Sequence, residues 1–164
     1  MKRFVLFSLL LALAGLIFGF AAIGDSNEEM VQAAKALDAK FIAAYNAKDV
    51  DAIMECYWNS PDLVSFSPGA MEQKGWEAVK ASFTQEFAEM AGGKLEIIEA
   101  KYMVEGDVVL SLGKWRFTMP APEGEPMVME GRYSDAKAKR DGKLVVIMDH
   151  ASVPMPPPEM TEAH

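Results

Sequence analysis

The spacing of apolar residues changes from a helical to a strand repeat near residue 93, and this change restricts the chain to a few folds. Before it, apolar residues recur every three or four positions, as on one face of a helix. The clearest series is Met30, Ala33, Ala34, Leu37, Phe41 and Ala44. After Gly92-Gly93 the residues alternate between apolar and polar, which is typical of strands. Helices followed by a run of strands predict an α+β fold, with the helices on one side of a sheet.

Capping and turn residues give the boundaries of these elements. Three helices are predicted, at residues 26–47, 50–57 and 76–90. A short strand at 63–67 precedes the third helix, and four longer strands follow at 95–104, 108–119, 127–140 and 144–153. Asp141-Gly142 is a strong signal for a tight hairpin. Because successive strands with short connections pair antiparallel, we expect a strongly curved antiparallel sheet covered by the three N-terminal helices.

Residues 1–24 have the three parts of a secretory signal peptide. Lys2 and Arg3 form a positive start, an apolar run extends from Phe4 to Phe20, and small residues follow it, so cleavage after Ala21 or after Gly24 fits. The alternative is an uncleaved membrane anchor, for which the run is slightly short of the ~20 residues that span a bilayer. We therefore expect an exported protein, periplasmic or secreted, which contacts a membrane only through this segment if the segment is retained.

The remaining chain suits one domain at residues 25–154, followed by a proline-rich tail at 155–164 that we expect to be disordered. The net charge of −8 disfavours nucleic acid, which requires a basic surface. Cys56 is the only cysteine and cannot form an internal disulfide. Two histidines and one cysteine do not make an ordinary zinc or copper site, and no phosphate-binding loop is present. The sequence therefore predicts no metal site and no cofactor.

Several motifs of the folded region occur in a familiar order and spacing. They are the segments 41–49, 61–66, 75–79, 105–109, 131–133 and 149–154. Through them, the region from about residue 34 to residue 154 resembles the nuclear transport factor 2-like superfamily. Within it, the chain is most similar to the branch of SnoaL-like domains and calcium/calmodulin-dependent kinase II association domains. The resemblance implies a cone-shaped fold with an internal pocket, and a homodimer formed through the outer face of the sheet.

His150 and Arg132 are the principal candidates for chemistry. The resemblance implies that His150 and Ser152, two positions later, line the interior, and histidine suits proton transfer near neutral pH. It also implies that Arg132 faces the pocket, where its guanidinium would hold a carboxylate. The alternatives are a packed histidine and an arginine in an internal salt bridge. A turn centred between Asp141 and Gly142 places His150 near Tyr133, but a one-residue bulge would change which residue shares its face.

Aromatic residues are the other candidates for a pocket wall. Tyr45, Trp58 and Trp115 are the candidate ligand-binding residues, with ordinary core packing as the alternative. The favoured function is an exported small-ligand-binding or assembly domain without assigned chemistry. The alternative is a small isomerase, cyclase or dehydratase in which His150 is the acid or base and Arg132 anchors an anionic substrate. Because the fold hosts both classes, the resemblance does not choose between them.

Overall fold

The computed structural model describes residues 26–90, 92–121 and 123–155. The predicted signal peptide and all but the first residue of the predicted tail lie outside these ranges. Helix α1 spans residues 26–46, α2 spans Val50–Met54 and α3 spans Trp76–Glu89. The strands are β1 (Val64–Phe66), β2 (Gln73–Lys74), β3 (Lys94–Glu105), β4 (Val108–Met119), β5 (Met127–Arg140) and β6 (Lys143–Ser152). Within the described ranges, every helix is too short or too polar to cross a bilayer.

The second helix is shorter than the sequence predicts because its last residues join the sheet. Asp49 caps it as expected, since its Oδ1 accepts a hydrogen bond from the backbone N–H of Ala52 at 3.0 Å. The helix ends at Met54. Beyond it, the carbonyl of Cys56 accepts from the N–H of Val146, and the N–H of Trp58 donates to the carbonyl of Val146, both at 2.9 Å. This bridge fixes the segment against β6.

The sheet has six strands in the order β2-β1-β6-β5-β4-β3. The four long strands form the predicted antiparallel meander. Strand β1 adds one parallel pairing to β6, which makes the sheet mixed. No short hairpin joins β1 to β6, so the direction of this pair is not restricted by a turn. The α+β class with three N-terminal helices and a meander is confirmed.

Two irregularities in strand pairing determine which side chains point inward. The first lies in β3 between Ile97 and Glu99, opposite β4. The second lies in β6, where Lys137 pairs with Val146 but Ala136 pairs with Met148, which leaves Ile147 without a partner. Each bulge inserts one residue, and therefore exchanges the two faces of its strand beyond that point.

The core lies between α1, α2, α3 and the β6 end of the sheet. Its fully buried apolar residues include Ile53, Cys56, Leu63 and Val79. Burial raises the pKa of the Cys56 thiol, as expected of a packed, unreactive cysteine. The core closes only this end of the structure, and at the other end the helices and the inner face of the sheet stand apart.

Candidate functional site

A cavity of about 570 Å³ separates α1 and α3 from the inner face of the sheet. The loop after β1, at residues 66–70, borders its entrance. Eight aromatic side chains are among the residues that line it. Six of them are Phe41, Tyr45, Tyr57, Phe83, Trp115 and Phe117. Alternation along β4 places Trp115 and Phe117 on the inner face together, as the sequence predicts.

The aromatic rings of α1, α3, β4 and the segment after α2 contact one another edge to face. The rings of Phe41 and Tyr57 are 6.2 Å apart at 70°, and those of Phe41 and Phe83 are 6.1 Å apart at 63°. The ring of Tyr45 is 6.2 Å from that of Phe117 at 86°, which joins α1 to the sheet. Such contacts hold each ring in one orientation. The cavity therefore has a preformed, largely apolar wall.

Polar groups are gathered at the deep end of the cavity, where Tyr57 and Asp149 meet. The hydroxyl of Tyr57 donates a hydrogen bond to Oδ2 of Asp149 at 2.6 Å. The other carboxyl oxygen, Oδ1, is buried without a well-formed hydrogen bond, and so is the hydroxyl of Tyr133. Burial raises the pKa of Asp149, and the hydroxyls of Ser65 and Tyr57 oppose that shift. Burial and the nearby Asp149 raise the pKa of the Tyr57 phenol.

A buried ion cluster lies beside this polar end. The ammonium of Lys137 is 2.5 Å from Oδ1 of Asp135, 2.9 Å from Oδ1 of Asp38 and 2.6 Å from the hydroxyl of Ser111. The hydroxyl of Tyr102 donates to the second oxygen of Asp38 at 2.8 Å. Burial raises the pKa of Asp135 to about 6, although Lys137 acts in the opposite direction. All three donors of the lysine are therefore occupied by this chain.

A third polar pair lies nearer the entrance. Glu86 of α3 accepts a hydrogen bond from the hydroxyl of Tyr45. Burial raises the pKa of Glu86, and that hydrogen bond acts against the shift. Glu89, one turn further along, accepts from the amide of Gln85 at 2.9 Å. Among the described residues, no cluster of three histidine, cysteine or carboxylate side chains could hold a metal ion.

A family model for the SnoaL-like domain matches residues 39–147, which is two thirds of the chain. The chain belongs to the SnoaL-like domain family. The matched segment contains the helices and strands that form the greater part of the cavity wall. None of the curated proteins matches this SnoaL-like chain.

Solved structures share the fold of this SnoaL-like domain. A candidate calcium/calmodulin-dependent protein kinase II association domain from Xanthomonas campestris is 23% identical, with a TM-score of 0.63 over 75% of this chain and 86% of that one. A nuclear transport factor 2-like protein from Salmonella enterica is 16% identical, with a TM-score of 0.69 over 87% and 99%. A candidate dehydratase of the same fold family from Streptomyces avermitilis is 14% identical, with a TM-score of 0.69 over 79% and 99%. These TM-scores establish a common fold.

Arg132 of this SnoaL-like domain is on the opposite face of the sheet from the cavity, so the expectation that it points inward is wrong. It is exposed, and its Nε donates to the hydroxyl of Ser152 at 3.2 Å. The inward position on β5 belongs to Tyr133, which lines the cavity. Glu130 is also outside, where it accepts from Arg116 of β4. No anion anchor is therefore provided by Arg132.

Ser152 lies beside Arg132 outside the cavity, which corrects the interior position implied for it, whereas His150 lines the cavity only at its rim. His150 pairs with Ser134, and it is exposed at the rim of the cavity, where its ring lies 6.1 Å from that of Phe66. The hairpin itself has the predicted register as far as the pair Lys137 and Val146. Beyond that pair the unpartnered Ile147 shifts β6 by one residue, so Asp149 rather than His150 turns inward.

Two of the three aromatic candidates are cavity residues. Tyr45 and Trp115 line the cavity. Trp58 is not among the lining residues, and the guanidinium of Arg140 lies 5.1 Å from the centre of its ring. The residues that sequence analysis missed are Asp135, Lys137 and Asp149 as inward polar groups. Asp135 and Lys137 lie two and four residues after Tyr133 on β5. A prediction that places Tyr133 inside would therefore also have placed these two side chains inside.

Arg132→Ala is expected to leave binding in the cavity unchanged, because the guanidinium lies on the other face of the sheet. Its only side-chain hydrogen bond is to Ser152 at an exposed position, and such contacts contribute little to stability. Dissociation constants of the variant and the unmodified protein for one cavity probe, measured by fluorescence titration, should agree within twofold. Loss of probe binding in a variant that still unfolds cooperatively would contradict the position described for Arg132.

Proposed function

We propose that this SnoaL-like domain is an exported binding protein for a small, largely apolar molecule held between α1, α3 and the inner face of the sheet. The observation that carries the proposal is the cavity of about 570 Å³, with aromatic walls and polar groups at its deep end. Ligand sites usually have volumes of ~300–1,000 Å³, apolar walls and a few polar groups that orient the ligand. The predicted signal peptide supports the exported location.

Filling the cavity is expected to abolish this binding. Ala151 lines the inner wall beside Asp149, so Ala151→Phe directs a ring into the space that a ligand would occupy. The neutral dye N-phenyl-1-naphthylamine becomes fluorescent in apolar surroundings and serves as the probe. We expect saturable binding to the unmodified protein and at least a tenfold weaker affinity for the variant, equivalent to about 1.4 kcal/mol.

Met155→Phe is the matched control, because it adds a similar ring beyond β6 at a position with 89% of its surface exposed. It should bind the dye as the unmodified protein does. Equal binding by all three proteins would place the dye outside the cavity, and the absence of saturable binding in the unmodified protein would contradict the proposed function.

Acid–base catalysis is a second candidate, and the carboxyl groups at the deep end favour it. A carboxyl with a pKa of about 6, as at Asp135, exchanges protons readily near neutral pH. Asp149 has a raised pKa and borders the same space. Isomerase, cyclase or dehydratase chemistry would then use these carboxyl groups rather than His150 and Arg132. Mass spectrometry of compounds recovered after incubation with the protein distinguishes turnover from binding.

We also propose that two copies pair through the outer face of the sheet. Met103 and Leu112 are on that face, with 49% and 37% of their surfaces exposed. Light scattering at micromolar concentration should give the mass of a dimer, and Leu112→Asp should shift it to a monomer because it introduces charge into the contact. Met71→Asp, in the exposed loop between β1 and β2, should leave the dimer intact. A monomeric unmodified protein would contradict this proposal.

A further inference from the structure

We infer that the ligand of the cavity carries a protonated amine on an aromatic or aliphatic body, with the ammonium group bound beside Asp149. This inference rests on the proposed function and specifies its ligand class. It is drawn from the charges on the cavity wall, from one carboxyl oxygen without a well-formed hydrogen bond and from the rings that surround it.

The charges of the wall are of one sign. Five carboxyl side chains line the cavity, namely Asp38, Glu86, Glu89, Asp135 and Asp149, and the described lining residues include neither lysine nor arginine. Lys137 lies behind this wall, and its three donors are occupied by Asp38, Asp135 and Ser111. An anionic ligand would be repelled by the remaining carboxyl groups, whereas a cationic ligand would be attracted to them.

Asp149 has one carboxyl oxygen without a well-formed hydrogen bond, although the hydroxyl of Ser65, its pairing partner on β1, is near enough to lower the pKa of the carboxyl. Its Oδ2 accepts from the hydroxyl of Tyr57, while its buried Oδ1 has no well-formed hydrogen bond. A buried carboxyl oxygen without a donor is costly, and an ionised carboxylate is costlier still unless a cation pairs with it. An ammonium group would supply both the donor and the charge. The unpaired hydroxyl of Tyr133 offers a further polar contact at the same wall.

The rings near Asp149 suit an organic cation. The ring of Tyr57, whose hydroxyl contacts Asp149, lies 6.0 Å from that of Phe83 and 6.2 Å from that of Phe41. Aromatic faces attract ammonium groups, and the attraction increases when water is excluded. A metal ion would need several oxygen or nitrogen ligands, and no such cluster occurs among the residues that the structure describes. Apolar walls and a single open carboxyl position therefore favour a lipophilic amine.

Three probes with one apolar body test this inference: 4-phenylbutylamine, 4-phenylbutan-1-ol and 4-phenylbutanoate. Each competes at pH 7 with N-phenyl-1-naphthylamine for the full chain, and dye fluorescence gives its affinity. We expect the amine to bind about tenfold tighter than the alcohol, since a charge-assisted hydrogen bond is stronger than a neutral one. The carboxylate should bind more weakly than the alcohol.

Asp149→Asn should bring the affinity for the amine to that for the alcohol, because the amide retains an acceptor for Tyr57 and removes the charge. Asp107→Asn is the matched control in the exposed turn before β4 and should keep the preference for the amine. If the Asp149 variant fails to fold, the comparison of the three probes on the unmodified chain still tests the inference.

Equal binding of amine and alcohol, or tighter binding of the carboxylate, would overturn the inference while leaving the proposed function intact. A preference for the amine that persists in folded Asp149→Asn would also overturn it. If the dye itself does not bind, the proposed function and the inference both fail.

Discussion

Lys137→Met is expected to lower the free energy of unfolding at pH 7 by about 3–5 kcal/mol, the usual cost of removing one partner from a buried ion pair. Lys137 is completely buried, and its ammonium contacts Asp135, Asp38 and Ser111. Methionine fills a similar volume but leaves two carboxyl groups in the interior without a counter-ion. Urea denaturation followed by circular dichroism measures the change.

Lys139→Met is the matched control, because Lys139 is exposed on the same strand and its replacement should change stability by less than about 0.5 kcal/mol. Adding Asp135→Asn to the Lys137 variant should restore part of the loss, since one uncompensated charge is then removed. A Lys137 variant as stable as the control would show that the two carboxyl groups are neutral in the folded protein at pH 7.

The stability deficit of the Lys137 variant should depend on pH in a defined direction. Burial already raises the pKa of Asp135 to about 6 in the folded protein, above the ~3.9 of a free aspartate. A folded state that binds more protons than the unfolded state loses stability as pH rises through the interval between the two pKa values. Loss of Lys137 raises the folded pKa further, so the deficit should be larger at pH 7 than at pH 5. A constant deficit across this range would exclude Asp135 as its source.

Gly113→Ala is expected to destabilise the protein by about 3 kcal/mol, at the upper end of the cost of overpacking. A Cβ at this position would lie 1.9 Å from the carbonyl oxygen of Glu99 and 2.8 Å from Cε1 of Tyr133. The first contact is with backbone of β3 next to its bulge, which cannot move away as a flexible side chain would. Thermal and urea unfolding should both reveal the change.

Gly69→Ala is the control, because an added Cβ there meets no atom within 4 Å. It should unfold as the unmodified protein does. The Gly113 variant should also bind the cavity dye more weakly, since Tyr133 on the cavity wall must shift to make room. Unchanged stability and dye binding would show that β3 and β4 separate without cost.

Most of the fold could be predicted because the sequence specifies it locally. The bounds predicted for β4 and β5 agree with Val108–Met119 and Met127–Arg140, since Gly, Pro and Asp residues mark both turns. Two features could not be predicted: the early end of α2 at Met54 and the parallel pairing of β1 with β6. Both depend on contacts between residues far apart in the chain. Local patterns carry no information about such partners.

The site was less predictable, because an inward position depends on strand register as well as residue type. Trp115 and Tyr45, candidates because they are aromatic, do line the cavity. The interior position expected for Arg132 came from the resemblance alone, and its neighbour Tyr133 is the residue that lines the cavity. Lys137 carries no sequence signal of its burial except its position two residues after Asp135 and between two alanines. Charged residues are rarely fully buried, so a pattern that assigns charge to the surface misplaces this one.

The unpartnered Ile147 decides which side chains of the last strand face the cavity. With the extra residue where it is, the strand offers a carboxyl group and a methyl group, from Asp149 and Ala151, to whatever occupies the cavity. If the same sequence continued in the register of its hairpin, it would offer an imidazole and a hydroxyl, from His150 and Ser152, instead. The position of one inserted residue thus selects between an acidic and a basic lining. A one-residue insertion or deletion in this strand would therefore change the chemistry of the cavity wall without replacing any of its side chains.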